Sequence, residues 1–337
     1  MRKTAFFLAA AAAALSTISC NKDLPGQAGN DNIPTEAVET AELKLSIVGN
    51  GGAATKSAVA DFDDTHSEVA SIQFFVFDGE VLDAYKKVTS GLSATMTVKT
   101  GSKTIWAVVN APDISNVTTL TQLKAINSAL IDNASNFVMV GSTTETVPSE
   151  DPIEIEVKRI ASRVVVKKVT AAFTNPAYAA MECNLVDMFL VNVPGDINLD
   201  LTNSPTTWYC QRAYAVVSGI ADLLHTSGGS HDLNTSAFET VCRHYCYPNP
   251  TVADSQATTW SARHTRMVIE VQLGTETFYY PVTLPVLEPG KSYEIENLTI
   301  TRKGSTSPDQ PISLSDATFE ISVKNWTVVP VTEGITI

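Results

Sequence analysis

Apolar residues along this 337-residue chain recur at every second position over most of its length. In "AELKLSIV" (41–48), Leu43, Leu45 and Ile47 fall on one side of an extended segment and Glu42, Lys44 and Ser46 on the other, the mark of a half-buried β-strand. The alternation continues through "SIQFFVFDGE" (71–80), "TMTVKTGSKTIWAVVNAP" (95–112), "FVMVGS" (137–142) and "IEIEVKR" (153–159), with Gly and Pro between the runs. Further on, "ASRVVVKKVTAAF", "ECNLVDMFLVNVP", "RMVIEVQLGTETFYYPVTLPVL" and "SYEIENLTITRKG" are strand-length runs separated by turn residues. One stretch breaks the period. In "TTLTQLKAINSALIDN" (118–133), Leu120, Leu123, Ile126 and Leu130 sit at helical spacing, and Thr119 with Gln122 makes a capping-box pattern. A single helix among many strands predicts a mainly β fold of two tandem β-sandwich domains, 41–159 and 160–337, with one short helix in the first. Residues 203–262, rich in Thr, Ser, Gly and His, read as long loops.

The two ends carry separate messages. Arg2 and Lys3 precede the apolar run "TAFFLAAAAAALSTI", and small residues then lead to Cys20, which reads as an export signal over 1–19. A cysteine after "STIS", followed by the polar "NKDLPGQAGNDN", fits a bacterial lipoprotein signal lipidated on Cys20, with 20–40 as a flexible leash. The alternative is a plain secretory signal cut near Ser19. No later stretch approaches the ~18 apolar residues of a membrane span. At the other end, "FEISVKNWTVVPVTEGITI" sets Val329, Val331, Ile335 and Ile337 on one parity, interrupted by Glu333. The chain thus opens and closes with segments of the same pattern, able to fill the same slot.

Charge narrows the partners. The formal net charge is −13, and residues 1–56 balance to zero, so the whole excess lies beyond Lys56. Such a surface repels phosphate backbones, which argues against nucleic acid. Lys56 itself stands in "GNGGAATKSAVADFDD" (49–64), a stretch of small residues between two strand-like runs. With Cys20 set aside, Cys183, Cys210, Cys242 and Cys246 remain. An even number in an exported chain permits disulfides in any of three connectivities. "CRHYC" also puts Cys242, His244 and Cys246 on one side of a strand, where His231 or His264 could complete a zinc set, although a disulfide or reduced packing suits an exported β protein better. Trp106, Trp208, Trp260 and Trp326 could stack on sugars, but isolated tryptophans in strand-rich chains more often pack in cores or at edges. The chain contains no HExxH, phosphate loop or nucleophile elbow, so neither an enzyme nor a cofactor is expected.

Several stretches in order carry a resemblance: the lipoprotein signal, "AELKLSIVGNGGAATKS", "IQFFVFDGE", "IWAVVNAPD", "FVMVGS", "IEIEVKRIASRVVVKKVT", and "FYYPVTLPVLEPGKSYEIENLTITRKGS" leading into "FEISVKNWTVV". Together, from about Leu43 to the C-terminus, they resemble the fimbrillins of Bacteroidetes, the FimA-type major subunits of type V pili. That resemblance implies a precursor of two fimbrillin-like sandwiches with Greek-key, transthyretin-like topology, carried on the Cys20 lipid to the outer membrane. It further implies a trypsin-like cut, here between Lys56 and Ser57, that releases the first strand with Leu43, Leu45 and Ile47. Arginine is the usual residue before the cut, so an arginine-only protease would fit poorly. The emptied slot would be filled by a donor strand at about 326–337 of the next subunit, through Val329, Val331, Ile335 and Ile337. The implied partners are further copies in a head-to-tail homopolymer, anchor and tip subunits, the protease, and host or bacterial surface ligands, with a final location in an extracellular fimbrium. The loops of 203–262, with three of the cysteines, match no part of the family pattern. The competing readings are an adhesive tip or anchor subunit and a glycan-binding surface lipoprotein that does not polymerise.

Overall fold

In the computed structural model, which describes residues 38–49, 68–202, 204–255, 257–312 and 317–326, period-two hydrophobicity becomes period-two burial. The first half contains β1 (Thr40–Gly49), β2 (Ile72–Asp78), β3 (Val81–Val88), β4 (Ser93–Lys99), β5 (Gly101–Val109), helix α1 (Leu120–Lys124), β6 (Asn127–Ala129), β7 (Met139–Val147) and β8 (Ile153–Arg159). In β4 and β8, buried and exposed residues alternate from end to end. Seven strands join in the order β3-β2-β5-β7-β8-β1-β4. β7 and β8 pair at Met139↔Arg159 and Val140↔Lys158 and then part, so the sheet becomes two layers. Phe74, Val76, Ile105 and Ala107 from one layer meet Leu43, Met96 and Ile155 from the other in one buried cluster. At the far edge, Lys86 Nζ donates to the Thr95 carbonyl at 3.0 Å and Lys99 N to Asp83 Oδ2 at 2.8 Å, linking β3 to β4.

The second half opens with β9 (Ser162–Val166), β10 (Val169–Ala171), β11 (Cys183–Val191), β12 (Val193–Pro194), β13 (Asp196–Asn198) and β14 (Trp208–Tyr209). It continues with β15 (His225–Asp232), β16 (Cys242–Cys246), β17 (Arg266–Leu273), β18 (Glu276–Thr283), β19 (Lys291–Ile295), β20 (Leu298–Ile300), β21 (Ala317–Thr318) and β22 (Ile321–Asn325). The sheets β15-β11-β17-β18 and β16-β9-β19-β22 are flanked by the smaller β10-β20-β21. Leu185, Met188, Ile269 and Tyr280 from the first sheet share a buried cluster with Val164, Val166, Tyr293 and Ile295 from the second. The protein is therefore mainly β, as the alternation predicts.

Two expectations need correction. The helix ends at Lys124 instead of running to 133. Its capping box forms as expected, with Thr119 Oγ1 accepting from Gln122 N at 3.1 Å and Gln122 Oε1 from Thr119 N at 3.3 Å. Beyond it, Asn127, Ser128 and Ala129 pair with Asn198, Ile197 and Asp196, and Leu130–Asn133 is a short 3-10 turn. Asn and Ser are weak helix formers, and β13 offers this backbone partners that a longer helix would have to supply internally. The stretch 203–262 is likewise more than loops, since β15 pairs with β11 and β16 with β9. β15, "HTSGGSHD", has no apolar alternation and lies at the edge of its sheet, so its pairing leaves no trace in the hydrophobic pattern.

Packing is continuous across Arg159. One cluster holds Trp106, Phe137 and Val140 from the first half together with Val164, Tyr245 and Tyr247 from the second. The Tyr247 hydroxyl, fully buried, accepts from Asn133 Nδ2 at 2.8 Å, donates to the Ala129 carbonyl at 3.0 Å and lies 3.0 Å from Ser128 Oγ. Tyr247→Phe strips these buried polar atoms of a shared partner, which costs about 1–3 kcal/mol. Urea unfolding of the variant is expected to show that loss, and an unchanged midpoint would mean that these bonds add nothing.

Candidate functional site

β1 has a neighbour on each side. It pairs parallel with β8 from Leu45↔Ile153 to Gly49↔Val157 and antiparallel with β4 from Thr40↔Lys99 to Ser46↔Ser93. It is therefore the middle strand of the β8-β1-β4 layer, and Leu43, Leu45 and Ile47 are 1%, 1% and 3% exposed. Burying them contributes about 1.5–3 kcal/mol each, beside ladder hydrogen bonds worth about 0.5–1.5 kcal/mol apiece. Without β1, both neighbours would face an apolar trough with unpaired backbone along each wall. Cys20, Lys56 and Ser57 lie outside the described residues.

The C-terminal end is built differently. β22 lies at the edge of its sheet and pairs with β19 from Lys291↔Asn325 to Ile295↔Ile321. Glu294 on β19, its side chain only 2% exposed, receives Lys167 Nζ at 2.8 Å and Lys324 Nζ at 2.7 Å. Burial raises the proton affinity of Glu294, but hydrogen bonds and charge from the two lysines outweigh it and hold the carboxyl below its ordinary value. One residue past β22, Trp326 is buried and its backbone N–H donates to the Gly290 carbonyl at 2.9 Å. The Arg159 guanidinium lies 4.2 Å and that of Arg163 5.1 Å from its ring centre, with Phe137 packed edge-on at 4.7 Å. Such cation–π contacts gain strength where water is excluded. Trp326, the last described residue, is thereby fixed in the core. Val329, Val331, Ile335 and Ile337 lie outside the described residues.

The cysteines do not meet the disulfide expectation, for Cys183, Cys210, Cys242 and Cys246 are all free and buried. Cys242 and Cys246 share β16, and four residues of strand separate their Cα atoms by ~13 Å, well beyond the ~7 Å limit of a bridge. Burial pushes the Cys242 thiol up to about 11 and those of Cys183 and Cys246 up to about 12. Burial also lowers His244 to about 4, and its Nε2 lies 3.3 Å from the Met188 carbonyl. Among the described residues, no three His, Cys, Asp or Glu side chains are grouped to hold a metal ion. Trp326 is core, whereas Trp208 and Trp260 are half-buried and pack edge to face at 5.8 Å. Sequence reasoning missed the Arg159–Trp326 contact, which joins positions far apart in the chain with no local signal.

No family model and no curated protein matches the sequence. Solved structures do. A putative cell adhesion protein from Bacteroides eggerthii superposes with a TM-score of 0.63 at 19% identity, over 90% of this chain and 100% of that one. The fimbrilin of Porphyromonas gingivalis W83 gives 0.62 at 15% identity, over 86% of this chain and 98% of its own. The C-terminally truncated tip fimbrial protein Mfa3 of Porphyromonas gingivalis gives 0.53 at 12% identity, over 85% of this chain and 100% of its own. The fold is that of the Bacteroidetes fimbrillins and of these adhesion proteins.

Two measurements probe the ends. Leu45→Ala, opening a cavity beneath the middle strand, is expected to cost about 2–5 kcal/mol in denaturant unfolding. Because the folded carboxyl of Glu294 is depressed, its contribution is complete above the ordinary glutamate value of 4.5 and disappears as pH falls through the lower folded value. The gap in melting temperature between the native chain and Glu294→Gln should therefore be widest near neutral pH and close in acid, and a gap constant with pH would contradict this account of the lysine pair.

Proposed function

We propose that this protein is a structural subunit of a cell-surface fimbria, exported as a lipoprotein on Cys20, cut between Lys56 and Ser57, and polymerised by strand exchange. The observation that carries the reading is the place of β1, a segment near the N-terminus lying in the middle of its layer with Leu43, Leu45 and Ile47 buried. The fimbrillin-type fold supports it. While the connection from β1 to β2 is intact, β1 competes for its slot at an effective concentration on the order of millimolar or more, so a strand from another copy rarely displaces it. A cut at Lys56 turns β1 into a separate peptide that can leave and dilute. What remains is an adhesive trough, and strand addition is the natural way to fill it.

The C-terminal segment supplies the required pattern. Val329 and Val331, then Ile335 and Ile337, repeat at the spacing of Leu43, Leu45 and Ile47, and the segment leaves from the Trp326 root. A tail from one subunit entering the slot of the next makes a heterologous, non-closing contact, which propagates into a fibre. The outer membrane is the site of the lipidated precursor and the fimbrium that of the mature chain; anchor and tip subunits would end the fibre.

Limited trypsin digestion tests each part. The native chain is expected to give one early cut after Lys56 and then a ladder of polymers on a gel. Lys56→Ala should stay monomeric, and a chain lacking 328–337 should be cut without polymerising. Ladders from Lys56→Ala as abundant as those of the native chain would refute the cleavage step.

A further inference from the structure

A cavity of about 330 Å³ opens where β7 and β8 part, lined by the buried side chains of Trp106, Val140 and Leu199 and by the more exposed Ser142, Glu156, Lys158 and Asp200. The strands are brought together beneath it by Gly141, since a Cβ there would come within 2.1 Å of the Glu156 carbonyl oxygen. Only glycine permits that approach. Beyond Gly141, β8 pairs with β1 instead, which leaves the gap between β7 and β8 open.

The opposite wall comes from the segment after β13. Leu199 N donates to the Ile126 carbonyl at 2.9 Å and Leu201 N to the Asn198 carbonyl at 2.8 Å. Leu201, which also lines the cavity, has a φ of +66°, a left-handed conformation uncommon for a bulky side chain and one that clusters at binding sites. Asp200 is fixed by its Oδ1, which accepts from Thr202 N at 2.9 Å and Thr202 Oγ1 at 2.6 Å. Among the described residues its Oδ2 makes no hydrogen bond, nor do the side chains of Ser142, Glu156 and Lys158. Four polar groups with unspent capacity thus surround an apolar floor that includes an indole.

This composition selects its ligand. Two carboxylates against one lysine, on a chain of net charge −13, disfavour an anion. An apolar ligand would desolvate the polar mouth without replacing its hydrogen bonds. A neutral polyhydroxylated ring answers both: its hydroxyls donate to Glu156 and Asp200 and accept from Lys158 and Ser142, while its C–H face lies on Trp106. The volume is at the small end for ligand sites, which run from about 300 to 1,000 Å³, and suits a single sugar ring. We propose that this cavity binds one neutral hexopyranose unit of a glycan. The site needs neither cut nor polymerisation: its lining includes no residue of β1, although Glu156 stands opposite Val48 in the β1–β8 pairing, and it is complete in the uncut chain.

The test is titration of the uncut chain with the methyl glycosides of glucose, galactose, mannose and N-acetylglucosamine, followed by saturation-transfer NMR and calorimetry. At least one is expected to bind with a Kd of about 1–10 mM, as befits a single ring. Glu156→Gln and Asp200→Asn, both of which keep side-chain shape, should each weaken it about tenfold or more with unchanged unfolding midpoints. Trp208→Phe, outside the cavity lining, should bind as the native chain does. Absence of binding by all four glycosides, or binding that both carboxylate variants leave unchanged, overturns the proposal.

Discussion

A strand close to the start of the chain occupies the middle of a three-strand layer, and most of the first sandwich depends on that pairing. β4 and β8 are not hydrogen-bonded to each other; each is joined to the layer through β1. β8 is also tied to the opposite layer by two residue pairs with β7, whereas β4 reaches it through contacts such as the Lys99 backbone N–H donating to the Asp83 carboxylate. The apolar faces of all three strands, Leu43, Leu45 and Ile47 with Ala94, Met96 and Val98 and with Ile153, Ile155 and Val157, close the same buried cluster. An inner strand is normally held by connections at both ends. Here the strand is held by pairing on both edges and by three buried side chains, Leu43, Leu45 and Ile47.

The first and last described strands are held unequally. β1 is buried and paired on both edges, while β22 is an edge strand with Val323 about half exposed and with its pairing confined to β19. Its firm point is the box around Trp326, where Arg159 and Arg163 approach the ring. Arg159 is also the last residue of β8, the strand that walls the β1 slot. The root of the C-terminal segment and the wall of the slot therefore meet at one side chain.

The junction between the halves has the same character. β6 pairs with β13, Tyr247 reaches back to Asn133 and Ala129, and the cavity at the β7–β8 opening is lined in part by Leu199–Leu201. Each contact joins residues separated by tens to more than a hundred positions, and the first replaces a helix that local reading assigned to 127–129. Tertiary pairing overrides helix propensity at Asn127–Ala129 because three strand residues gain defined backbone partners there, whereas Asn and Ser contribute little to a helix.

The alternation in "AELKLSIV" and "IEIEVKR" by itself determined that these segments are strands and which side chains face inward, because a period of two leaves a buried sheet face no other assignment. The Thr119–Gln122 cap was legible for the same reason: its partners are three residues apart. Nothing local could tell that β1 lies between β4 and β8, that β8 runs parallel to it, or that Arg159 stacks on Trp326, since strand order and direction depend on which distant edges find each other. The four cysteines show the limit most plainly. Their even number permitted bridges, but the fold put Cys242 and Cys246 along one extended strand and buried all four as free thiols, a matter of backbone distance that composition does not contain.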